Sequence, residues 1–75
     1  MKTQKGWAVV YTYVTMGNSR EDVMDSWFLS KSPANKRLKE QKDKNPQAAG
    51  SFYLCPVIAW RDDEFSHWHV KRDQR

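Results

Sequence analysis

Apolar and polar positions alternate with a period of two near both ends of the chain, and fall into helical spacings between them. From Trp7 to Met16 the alternation puts Trp7, Val9, Tyr11 and Tyr13 on one side and Ala8, Val10, Thr12, Val14 and Met16 on the other, which predicts a strand. Gly17-Asn18 breaks it. Ser19 or Asn18 is then placed to cap a helix whose first turn carries Glu21 and Asp22, with Asp22 three residues after Ser19 as in a capping box. In this helix Val23, Met24, Trp27 and Phe28 fall at i, i+1, i+4 and i+5 and form one stripe, while Arg20, Asp22 and Asp25 look outward.

Ser30-Lys31-Ser32-Pro33 interrupts that pattern, because a residue before proline avoids helical angles. A second helix is predicted from Pro33, with Ser32 as its cap, running to Lys44. Only Ala34 and Leu38 are apolar between Ala34 and Lys44, so it can bury no more than a thin seam. Asn45-Pro46 stops it, and Gln47 to Gly50 reads as a loop.

The stretch from Ser51 to Arg72 has two β-rich runs around the polar knot Arg61-Asp62-Asp63-Glu64, the signal of a hairpin. Trp60 facing Phe65 sets Ile58 against His67 and Val57 against Trp68. Pro56 lacks the amide that a central ladder uses, which favours the last strand in the middle of the sheet. The predicted fold is a single small α+β domain over residues 1–75, with β-α-α-β-β order and a three-stranded, mainly antiparallel sheet with helices on one face. Residues 1–5 and 73–75 are expected to fray.

The same alternation sorts the sheet into an aromatic face (Trp7, Val9, Tyr11, Tyr13, Phe52, Leu54, Ile58, Trp60, Phe65, His67, His69) and a face of mostly smaller residues (Ala8, Val10, Thr12, Val14, Cys55, Val57, Ala59), with Trp68 and Val70. A helix approaches most closely over small side chains, which would leave the aromatic face outward; the reverse arrangement hides it. Trp7, Tyr11, Tyr13, Trp60, Phe65 and His67 are therefore the candidate partner-binding residues.

Seventy-five residues make one domain, at a size where a single core supplies about 3–5 kcal/mol of net stability. The only cysteine is Cys55, so there is no internal disulfide, and a reducing, cytoplasmic compartment is the simpler expectation. The start has lysines and an apolar run but no A-x-A-like cleavage site, and nothing is long enough to span a bilayer.

Thirteen basic and nine acidic side chains give a net charge of +4. The excess is local: residues 32–50 carry +3 and residues 51–75 balance to zero. Lys36, Arg37, Lys39, Lys42 and Lys44, with Lys71 and Arg72, form a candidate basic patch, tempered by Lys36–Glu40 and Lys39–Asp43 pairs at i, i+4.

His67 and His69 share a face at a spacing that could hold a metal, with Asp62, Asp63 and Glu64 as further donors, but two imidazoles do not make a site and no metal or cofactor is expected. No nucleophile is placed beside a base, and no glycine-rich phosphate loop occurs, so no catalytic residue is assigned and an enzyme is not expected. What remains is a module that occupies another macromolecule's surface. The first expectation is a protein-binding inhibitor or adaptor, of the size encoded among phage or mobile-element accessory genes, whose basic helix steers it to an acidic target. The alternative is a nucleic-acid binder that holds phosphates with the basic helix and stacks bases on the aromatic face. A sheet-face homodimer is compatible with either.

Overall fold

A computed structural model describes residues 2–74; Met1 and Arg75, in the segments expected to fray, lie outside the described residues. The strands are β1 (Lys2–Val14), β2 (Arg20–Phe28), β3 (Phe52–Arg61) and β4 (His69–Arg72). One helix, α1 (Lys31–Lys44), and a 3-10 turn over Pro46–Ser51 join β2 to β3. All four strands pair antiparallel in the order β2-β1-β3-β4. The domain is α+β as expected, but its sheet has four strands, and one α-helix replaces the predicted two.

The fourth strand is β2, where a helix was expected. Its apolar spacing fits both forms, because adjacent apolar pairs four residues apart also supply one residue to each face of a strand. The turn before it decides. Thr15 N–H donates to Ser19 C=O (2.8 Å), Asn18 N–H donates to Thr15 C=O (2.9 Å), and Asn18 takes a left-handed φ of 63°. This three-residue hairpin loop sends the chain straight back along β1. Ser19 and Asn18 are thus turn residues rather than caps. Cross-strand bonds run from Thr12 Oγ to Asp22 Oδ1 (2.5 Å) and from the Tyr13 hydroxyl to Glu21 Oε2 (2.6 Å).

A bulge interrupts the pairing between Val9↔Ser26 and Val10↔Met24, leaving Asp25 as the extra residue. It reverses the alternation of the strand residues beyond it. Trp27 lands opposite Ala8 and Phe28 opposite Trp7, whereas an unbroken strand would exchange their faces. Asp25 itself accepts bonds from Arg37 Nε (2.9 Å) and Gln41 Nε2 (3.1 Å), fastening the helix to the sheet.

Helix α1 begins at Lys31 with Ser30 at its N-cap position, two residues earlier than Pro33 and Ser32 suggested, so Pro33 falls within the first turn, where its missing amide is harmless. It ends as expected, with the Asn45 backbone N–H and side-chain amide both donating to Gln41 C=O. The seam is thin: Ala34 is buried and Leu38 half-buried.

The helix lies on the aromatic face, not on the small-residue face. Lys31 stands over Trp7, Arg37 reaches Asp25, and Val9 beneath is 0% exposed. The small-residue face is buried without a helix. Ala8, Val10, Cys55 and Val57 form one cluster against which Trp27, Tyr53 and Val70 pack. In a flat sheet the outer strands would stand about 14 Å apart, three inter-strand gaps. Yet Trp27 of β2 meets Trp68, beside β4, edge-to-face at 5.8 Å, and Arg72 of β4 bonds Asp22 of β2 at 2.5 Å. The sheet is therefore curled, with its smallest side chains on the inside of the curl, where room is least.

The last hairpin keeps the parity of the residues that stay paired, but not its register, and Phe65, His67 and Trp68 leave the sheet for the loop. Trp60 pairs with His69, not Phe65; Ile58 pairs with Lys71 and Val57 with Arg72. A shift of four residues preserves parity, so Trp60 and His69 still share the aromatic face. Strand β4 is an edge, and β1 and β3 are central, contrary to the expectation from Pro56. The proline is tolerated because its nitrogen points to the side where β4 ends: Asp73 N–H donates to Pro56 C=O (2.9 Å), and the ladder stops there. Residues 2–5, expected to fray, pair with β3 through Arg61, Trp60, Ala59 and Ile58.

Candidate functional site

The expected aromatic face is divided by the fold. Trp7 is half-buried under the Lys31 ammonium, 4.8 Å from its ring. Tyr11 is half-buried between Phe52 (4.9 Å) and Tyr13 (6.2 Å, nearly parallel). The Tyr13 hydroxyl is committed to Glu21, whose carboxylate raises its pKa through that bond. Trp60 stands apart from these, beyond the helix, stacked on His69 at 5.4 Å. Phe65 and His67 are not on the sheet at all; they sit exposed in the loop that joins β3 to β4.

That loop is fastened from within. Asp63 Oδ1 accepts from Phe65 N–H (2.8 Å) and from Ser66 Oγ (3.1 Å), and Ser66 N–H donates to Asp63 C=O (3.3 Å). Arg61 Nη1 donates to Glu64 C=O (3.2 Å), and its guanidinium lies 4.6 Å from the Trp68 ring. Self-contained bonding of this kind is why the hairpin does not zip up to Trp60–Phe65. Its product is a Phe65 ring that is 96% exposed.

The basic patch is likewise divided. Lys36, Lys39 and Lys44 are exposed and Lys42 is half-buried on α1. Arg37 is engaged by Asp25, and Glu40 approaches Arg37 at 3.7 Å rather than Lys36. Lys71 lies over Trp60, 5.6 Å from the ring. Arg72 points into the curl, where it bonds Asp22 and the Tyr53 hydroxyl.

On the concave side, Ala8, Val10, Met24, Cys55, Val57 and Val70 line a cleft of about 150 Å³, with Asp22 and Arg72 at its rim. Cys55 is 4% exposed there, with its thiol directed at Pro56 C=O (3.4 Å). His69 lies on the opposite sheet face, so the fold brings no imidazole to the thiol. Among the described residues no group of three or more His, Cys, Asp and Glu could hold a metal ion, and no helix is long and apolar enough to cross a membrane.

Among the described residues, Asp22, Asp25 and Asp63 have pKa values held below the usual range. Asp22 is lowered by the Thr12 hydroxyl, then by Tyr53 and Arg72; Asp25 by Arg37; Asp63 by the Phe65 amide. A carboxylate with a depressed folded pKa stabilises the fold above its unfolded pKa, and that stabilisation is lost as pH falls through the folded value. Melting temperature is expected to hold from pH 7 to 5 and to fall below about pH 4. Asp22→Asn and Asp25→Asn should flatten that acid limb in circular-dichroism melts.

The sequence carried no signal for the bulge at Asp25, the Trp27–Trp68 contact or the Asp22–Tyr53–Arg72 group, since each depends on the curl. It did place His69 on the face of Trp60. The elements and their pairing together define a small α+β domain with a curled antiparallel sheet. Comparisons with known protein families, characterised proteins and solved structures found no match.

Proposed function

We propose that this chain is a non-enzymatic protein-binding module, an inhibitor or adaptor that acts by sterically occupying its target, with Phe65 as the anchor. The observation that carries this reading is an aromatic ring 96% exposed on a loop braced by Asp63 and Arg61. A loop whose backbone is already held by its own hydrogen bonds gives up little backbone freedom on binding, and aromatic rings are common anchors of protein interfaces. Asp62, Asp63 and Glu64 directly precede Phe65 in the loop. The loop's charge favours an apolar pocket with a basic rim, in place of the acidic surface expected from the helix alone.

Site-specific photo-crosslinking in the native host cells tests this. Phe65→p-benzoylphenylalanine is expected to give one predominant protein adduct, and Met16→p-benzoylphenylalanine, at the other end of the sheet and equally exposed, none. Phe65→Ala should reduce recovery of the same protein by about 30-fold or more, the size of a hot-spot loss of about 2 kcal/mol. Adducts that are absent at position 65, or the same from both positions, overturn the reading.

A further inference from the structure

We infer a second binding site, for single-stranded nucleic acid, on the part of the aromatic face that α1 leaves uncovered. It goes beyond the protein-binding reading and uses different residues. Strand parity brings Thr3 and Lys5 of β1, Ile58 and Trp60 of β3, and His69 and Lys71 of β4 to one surface. Thr3, Ile58, Trp60 and Lys71 enclose an open cleft of about 230 Å³.

Two features fix the occupant. Trp60 and His69 are directly paired across β3 and β4, and their rings stack at 5.4 Å and 25°, a two-ring aromatic stack whose exposed member, His69, can carry the stack on to a further ring. A nucleobase extends such a stack only when its own face is free, which selects unpaired strands over a duplex. The charged side chains that strand parity puts on this face, Lys5 and Lys71, are cationic, while Asp62, Asp63 and Glu64 lie in the adjoining loop. Lys71 stands 5.6 Å from the Trp60 ring, and Lys5, exposed, lies opposite Ile58 in the register. An acidic residue, Asp73, follows Lys71 by two positions, with its backbone N–H bonded to Pro56 C=O. A polyanion whose bases can splay matches both the rings and the ammonium groups; an acidic peptide would use the lysines but leave the stack bare.

The arrangement differs from the one the basic helix suggested. Arg37 is occupied by Asp25, so the residues placed at the stack are Lys5 and Lys71, with the lysines of α1 as bystanders.

The test is fluorescence anisotropy with labelled 12-nucleotide oligo-dT and oligo-U and a mixed-sequence duplex of the same length, from about 50 to 200 mM salt. Micromolar binding to the single strands, tighter than to the duplex, is expected. Trp60→Ala should weaken it about tenfold or more. Lys5→Ala and Lys71→Ala should each flatten the log–log salt slope by about 0.7, one phosphate contact on a single strand. Met16→Ser should change nothing. Where Trp60→Ala loses its fold by circular dichroism, Trp60→Leu with Lys71→Glu carries the test. No binding at about 50 mM salt, a duplex bound as tightly as the single strands, or full affinity in the folded Trp60 variants overturns the proposal.

Discussion

Trp27→Ala is expected to remove about 3 kcal/mol of stability and at the same time to bare the Cys55 thiol. The first effect comes from deleting a large ring packed on the cluster of Ala8, Val10, Cys55 and Val57. Truncating a core tryptophan costs about 3–5 kcal/mol, and Trp27 is half-buried, which places it at the low end. A chain of this size has about 3–5 kcal/mol in all, so the variant should stand near the edge of folding. Melting temperature should fall by roughly 15 °C, at a few degrees per kcal/mol for a domain of this length. The second effect separates this loss from an ordinary cavity. With the ring gone, a thiol-specific disulfide reagent should label the folded variant far faster than wild type. Trp27→Phe keeps a ring against the cluster and should recover most of both. A melting temperature within about 5 °C of wild type, with an unreactive thiol, would show that Trp27 does not close the concave side.

Gly6→Ala is expected to cost about 2–3 kcal/mol, although it adds a single methyl group. A Cβ at Gly6 would come closer than 3.0 Å to the carbonyl oxygen of Phe28 and 3.4 Å from the Trp27 ring. The first neighbour is backbone at the end of β2, so relief requires the strand to move, and Trp27 to move with it. Gly50→Ala is the control: nothing lies within 4 Å of its would-be Cβ, and its φ is not positive. It should leave stability unchanged or raise it by up to about 1 kcal/mol by restricting the unfolded chain. Parallel thermal melts decide the matter, and equal melting temperatures for the two variants would refute the close approach at Gly6.

Both experiments probe features that local sequence patterns do not report. Period-two alternation correctly gave the existence of β1 and β3, though β1 starts five residues earlier and stops two earlier than Trp7–Met16, and the parity of the positions it assigned between Phe52 and Trp60. Helical propensity with an Asn-Pro stop correctly ended α1 at Lys44. The failure over residues 20–28 was one of degeneracy: Val23, Met24, Trp27 and Phe28 satisfy a helix stripe and a bulged strand equally, and only the Thr15–Ser19 turn distinguishes them. The choice of covered face failed for a different reason. Small residues do permit close approach, but here what approaches them is the sheet's own edges rather than a helix. Of the candidate site, Trp60 and His69 were legible as sharing one face through parity, which survives a register shift of four, whereas Lys71 comes beside Trp60 only through that shift. Phe65 was legible as an aromatic but not as a loop anchor, because the bonds from Asp63 that hold it off the sheet are made by a residue that reads as part of a simple turn.

The bulge at Asp25 has one more consequence, for how copies of this chain meet. A sheet with open outer strands invites a further strand from another molecule, the first step of edge-to-edge aggregation. Here the outer edge of β2 is broken by the bulge and carries Glu21, Asp22 and Asp25, while β4 offers only four residues. Neither edge presents a long, flat, uncharged template. Two molecules colliding at high concentration therefore find only short, interrupted stretches of edge to extend, which weighs against polymerisation of the sheet while Phe65 is displayed.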